Sequence, residues 1–137
     1  MGGAYILPVK KFTPQDIYQE ALKERANPDP LKKRQACEKG WLAVTEAVNQ
    51  FLVTKGMFVP IGTGREHVER GNFLDTLALT DPAMQLLDEK VSIVADQLHG
   101  RCSYGNDTNP HFDTVLKKTV REILELTGFG DNGQEEE

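Results

Sequence analysis

Apolar residues along this chain recur at helical spacing. From Pro30 to Lys55 the set Cys37, Trp41, Val44, Val48 and Phe51 steps by 4, 3, 4 and 3, and from Pro82 to His99 the set Met84, Leu87, Val91, Val94 and Leu98 steps by 3, 4, 3 and 4. Such spacing places each set on one helix face, as the seam of a bundle. Ile17, Tyr18, Ala21 and Leu22 mark an earlier helix, and Phe112, Leu116, Val120 and Ile123 mark the last. A minor helix over 67–79 has a weaker pattern, with Gly71 inside it at a cost of roughly 1 kcal/mol against alanine.

Start signals agree with the periodicity. Thr13-Pro14-Gln15-Asp16 sets a capping hydroxyl before a proline, with an acid in the first turn; Asp29-Pro30, Asp81-Pro82 and Asn109-Pro110 repeat the cap and proline. Gly56, Gly100 and Gly128 stand where the helices should stop. Met57-Phe58-Val59 before Pro60 is the one strand candidate, and a single short strand makes no sheet. The pattern therefore predicts an all-α antiparallel bundle of four main helices near 14–26, 30–55, 82–99 and 110–127, plus the minor helix. Trp41, Val44, Val48, Phe51, Leu87, Val91, Val94, Leu98, Leu116, Val120 and Ile123 form its expected core. Ala36, Gly40, Ala43 and Ala47 add a row of small residues that lets another helix approach closely. Residues 1–12 read as an extended arm, 13–128 as the bundle domain and 129–137 as an acidic flexible tail.

Composition narrows the function classes. The chain has 137 residues, 39% hydrophobic and 27% charged, with a formal net charge of −5. That suits one globular domain and lacks the basic field of a general nucleic-acid binder. No apolar run spans a bilayer, so no membrane partner is expected. Cys37 and Cys102 do not make a disulfide framework, and with no secretory signal they read as thiols in a reducing cytoplasm.

Three segments carry candidate chemistry. The glycine-rich loop 57–65 fits neither phosphate-binding fingerprint and reads as a connector. In Arg65-Glu66-His67-Val68-Glu69-Arg70, the pairs Arg65/Glu69 and Glu66/Arg70 are four apart, which describes a salt-bridged wet face. The alternative makes Arg65, His67 and Arg70 an anion or RNA contact, opposed by the two acids. The loop over 99–107 gathers His99, Arg101, Cys102, Tyr104 and Asp107, with His111 just beyond. It is either a plain helix connection or a ligand site for a small anion, with Arg65 and His67 nearby. Cys102 beside Arg101 raises the question of an activated thiol. His99, Cys102 and His111 lack the ligand set and spacing of a structural zinc, so neither metal nor cofactor is expected. Trp41 is assigned to the core, with Glu38 and Lys39 on the wet face beside it.

The segment Ala36-Cys37-Glu38-Lys39-Gly40-Trp41-Leu42-Ala43-Val44-Thr45-Glu46-Ala47-Val48 resembles the Glu-Lys-x-Trp-x-Ala-x-x-x-Ala-Val helix of archaeal PaREP-type helical proteins. Leu98-His99 followed by Tyr104-Gly105 resembles their Leu-His…Tyr-x-Gly loop. The resemblance spans roughly 13–128 and leads on to the HEPN superfamily of helical bundles. It implies a homodimer, and a partner such as a nucleotidyltransferase, a nucleotide or a short RNA. HEPN ribonucleases place His four to six residues after Arg. Here Arg101 and His111 are too far apart and Arg65 and His67 too close, which argues against an enzyme. The expectation is a non-catalytic bundle that dimerises and binds a partner protein or nucleotide. The alternative is a metal-independent HEPN-type ribonuclease or toxin component using Arg101 and His111.

Overall fold

The computed structural model describes residues 12–105 and 109–130. Residues 1–11 of the expected arm, 106–108 of the expected loop and the acidic run 131–137 lie outside them. The described residues form helices and connecting turns, with no strand at Met57-Phe58-Val59. The all-α expectation holds.

Each cap–proline signal is used. In α1 (Pro14–Arg25) the Thr13 hydroxyl accepts from the Asp16 N–H at 3.0 Å, while the Asp16 carboxylate accepts from the Thr13 N–H at 3.1 Å, a reciprocal capping box. Asp29 caps α2 (Pro30–Thr54) through the Leu31 N–H at 3.0 Å, and Asp81 caps α4 (Pro82–Val94) through the Ala83 N–H at 2.9 Å. Between them lies α3 (Glu66–Ala78). Asn109 accepts from the His111 N–H at 2.8 Å and opens the C-terminal helix. That helix runs as α5 (His111–Thr114), a π-helical stretch (Val115–Val120) and α6 (Arg121–Leu126). Gly56 and Gly128 terminate α2 and α6 at φ of 76° and 91°, a left-handed conformation that a Cβ would oppose.

Gly100 does not stop a helix. The chain continues from α4 into a second π-helical stretch (Ala95–Ser103), so most of the loop expected after His99 is helical. The wide turns of a π-helix often accompany functional sites.

The seams meet as expected. Val44, Val48, Leu87, Val94, Leu98, Leu116, Val120 and Ile123 are fully buried, and Trp41 and Val91 nearly so; Phe51 is only half-buried, beneath the Lys55 ammonium. Phe129, assigned to the tail, packs against the core. The small-residue row is consumed inside the chain: Ala36, Ala43 and Ala47 have no exposed surface, and a Cβ on Gly40 would fall 2.6 Å from a Leu116 methyl and 3.1 Å from a Leu98 methyl. That face is therefore not free for a second copy.

The largest departure concerns the cysteines. Cys37 and Cys102 form a disulfide, with Cα atoms 6.1 Å apart, tying α2 to the π-helical stretch. Neither is a free thiol, so the thiol basis for expecting a reducing cytoplasm falls. Among the described residues, no helix is long and apolar enough to cross a membrane.

The Arg25 guanidinium, only 3% exposed, sits against both sulfurs at 3.6 and 3.7 Å. Its Nε donates to the Asp113 carboxylate at 2.5 Å, and its terminal nitrogens donate to the Lys33 and Asn109 carbonyls at 3.3 Å. One buried cation thus joins α1, α2, the disulfide and the start of the C-terminal helix. It is buried with a carboxylate partner, as a buried charge requires.

Candidate functional site

Trp41 organises a cluster of side chains from three elements. The i, i+3, i+4 rows of α2 bring Glu38 one turn before Trp41 on the same face. The His99 ring, from the π-helical stretch, stacks on the indole at 5.5 Å between centroids. The His67 ring, from α3, meets it edge-on at 6.1 Å. Tyr104, itself 72% exposed, sets its ring edge against His99 at 5.1 Å. His99 Nδ1 lies 3.0 Å from a Glu38 carboxylate oxygen, which fixes the ring's orientation and leaves Nε2 without a hydrogen bond among the described residues.

On the other side of Trp41 a cavity of about 200 Å³ opens between α2, α3 and α4. His67, Arg70, Gly71 and Leu74 line it from α3, Asp88, Val91 and Ser92 from α4, and Ala95 from the start of the π-helical stretch that continues it. Both sets follow helical spacing, so the cavity is a groove between two facing helices, lined also by Trp41.

Arg70 dominates the electrostatics of this cavity. It is 5% exposed, and its guanidinium lies 6.0 Å from the indole centroid. Nε donates to the Asn49 side chain at 2.8 Å. The terminal nitrogens make no hydrogen bond among the described residues, and no carboxylate lies within ion-pair distance. Burial lowers its pKa, partly countered at longer range by the charges of Glu66 and Glu46. The expected pair with Glu66 does not form. The Glu66 carboxylate instead turns to the backbone, where its own N–H and that of Gly62 hold its pKa below the usual range.

Asp88 lies in the same cavity and makes no ion pair. Burial, then a hydrogen bond shared with Asp75 and the charges of Asp75 and Glu89, push its carboxyl up to about 6. Among the described residues, no three His, Cys, Asp or Glu side chains converge as a metal site.

The structure thus assembles part of the expected site. His67, His99 and Tyr104 meet around Trp41. Arg65 is exposed and paired with Glu69 at 3.1 Å. Arg101 bonds Gln97 at 3.2 Å and lies over the Phe112 ring at 5.6 Å, which the exposed His111 ring also approaches, at 6.1 Å. Cys102, fully buried and bonded, has no thiol to offer a ligand or substrate. Asp75, Asp88 and Ser92 escaped the sequence reading, Glu38 entered it only as a wet-face residue, and Arg70 entered it as half of an ion pair or, with Arg65 and His67, as an anion contact. Two wider grooves, about 540 and 660 Å³, run along α1 and α2 past Phe12, Ile17 and Leu42, but their charged groups are at the surface. No protein-family model, curated protein or solved structure matches the chain.

Proposed function

We propose that this protein is a non-catalytic helical bundle that binds a small anionic group, carboxylate or phosphate, in the cavity beside Trp41. The observation that carries this reading is the unpaired, buried Arg70. A largely buried guanidinium without a counterion carries a desolvation cost, and an anion in the cavity would offset it through a bidentate pair. Arg25 provides the internal comparison. At equal burial it has Asp113, whereas Arg70 has open space before its terminal N–H groups. His67 and the Ser92 hydroxyl line the same space and supply further donors.

The cavity limits the ligand's size. Drug-sized molecules occupy roughly 300–1,000 Å³, so about 200 Å³ takes a small molecule or the phosphate end of a nucleotide, not a whole nucleotide. The HEPN-like arrangement, a homodimer and a protein partner such as a nucleotidyltransferase belong to the same proposal. With the small-residue face occupied, a second copy would use other apolar surface, such as Leu86 and Ile93 on α4, both nearly half-exposed.

The test is a titration of Trp41 fluorescence, the chain's one tryptophan, with inorganic phosphate and with acetate at low salt. A saturable change in the wild type that Arg70→Gln abolishes is expected. No change in the wild type, or an equal change in Arg70→Gln, would refute the reading.

A second reading retains metal-independent RNA cleavage, now with His99 rather than His111 as general base. It is supported by the Glu38–His99 pair, whose free Nε2 has the orientation a general base needs. Its test is cleavage of single-stranded RNA in EDTA, abolished by His99→Ala. No cleavage by the wild type removes it.

A further inference from the structure

We infer that the cavity is built for a small bipolar ligand, with an anionic group for Arg70 and an ammonium for the Asp88 carboxylate. This rests on the anion-binding reading of Arg70 and extends it to the acid in the same groove.

The two ends carry opposite charge and do not neutralise each other. Arg70 and Asp88 both line the cavity, yet neither Arg70 nor any other cation lies within ion-pair distance of Asp75 or Asp88 among the described residues. Arg70 stands on α3 and Asp88 on the neighbouring α4, and the groove lies between the two helices. A short molecule with opposite charges at its ends can bridge such a gap, whereas an anion alone answers only Arg70. An ammonium suits the other pole, because the half-buried Asp88 carboxylate, with no cation partner among the described residues, gains a charge-assisted bond from one.

Gly71 supplies a separate observation. It sits in the middle of α3, where glycine weakens a helix by roughly 1 kcal/mol against alanine. No close packing accounts for it. A Cβ built there meets no atom within 4 Å, unlike Gly40, and Gly71 lines the cavity. The missing methyl leaves room in the groove that Arg70 and Asp88 also line.

The probes are β-alanine against propionate, and 2-aminoethyl phosphate against ethyl phosphate. Each pair differs by the ammonium alone. Binding is read from Trp41 fluorescence and checked by calorimetry. Each bipolar probe should bind at least about tenfold more tightly than its partner, as one charge-assisted bond implies. Asp88→Asn should remove that advantage, and Arg70→Gln should weaken all four probes. Equal binding within both pairs would overturn the bipolar inference while leaving anion binding intact. Failure of all four probes would overturn both. An ammonium advantage that persists in Asp88→Asn would overturn the assignment of the acidic pole.

Discussion

Replacing Gly71 by alanine separates a cavity kept open for a ligand from an incidental gap between helices. The substitution removes the entropic penalty of a mid-helix glycine, worth about 1 kcal/mol. No atom lies within 4 Å of the new methyl, so overpacking does not offset this gain. At about 2.1 cal/mol/K per residue of unfolding entropy, the 137-residue chain unfolds with about 0.29 kcal/mol/K, and Tm should rise by about 3 °C. The methyl nevertheless enters a space of about 200 Å³ that the proposed ligand occupies. Crowding it by one carbon should cost about 1–3 kcal/mol of affinity, or roughly 5- to 150-fold. Thermal denaturation without ligand and fluorescence titration with β-alanine and phosphate measure the two effects in one protein. A more stable variant with weakened binding is the expected result. Unchanged affinity would show that the cavity beside Gly71 does not hold the ligand, and a lowered Tm would show that the glycine has a structural role here.

Three further substitutions test other parts of the account. Gly40→Ala should destabilise by about 1 kcal/mol, because displacing Leu116 costs about 1–3 kcal/mol and the helix regains about 1; a rise in the denaturation midpoint would refute the close approach of the C-terminal helix to α2. Removing the cystine with Cys37→Ala and Cys102→Ala together should cost about 4 kcal/mol by loop entropy for a 65-residue separation; an unchanged midpoint, or two free thiols in the unreduced native protein, would refute the crosslink. Asp88→Asn should stabilise the protein at pH 7.5 and leave it unchanged near pH 3. The folded carboxyl binds its proton more tightly, near 6 against an ordinary value of 3.8, so wild-type stability falls as pH rises through that window. A stabilisation that does not depend on pH would refute the raised pKa.

Local signals in the sequence were enough to place the helices. The caps at Thr13, Asp29, Asp81 and Asn109 involve neighbours two or three residues away, and the seams from Cys37 and Met84 follow the helical repeat. Other features depend on contacts between distant segments. Gly100 looks like a helix end, but packing of Leu98 and Cys102 carries the chain onward as a π-helix. The cystine joins residues from separate helices, and their positions become comparable only once α2 and the π-helical stretch are packed together. The candidate site was partly visible through His67, His99 and Tyr104. For Arg70 a surface pair was favoured over an anion contact because Glu66 stands at ideal helical spacing, yet the Gly62 N–H captured that carboxylate. Asp75 and Asp88 meet only across the α3–α4 turn, and periodicity along either helix does not reveal it.

The central claim is that Arg70 waits for an anion. Its Nε–Hε resonance reports this directly in a phosphate titration followed by ¹⁵N-correlated NMR. A saturable shift and slower solvent exchange of that signal are expected, with the Arg25 signal unmoved because Asp113 already occupies it. An Arg70 signal that stays fixed while phosphate is raised to saturating levels would contradict the account.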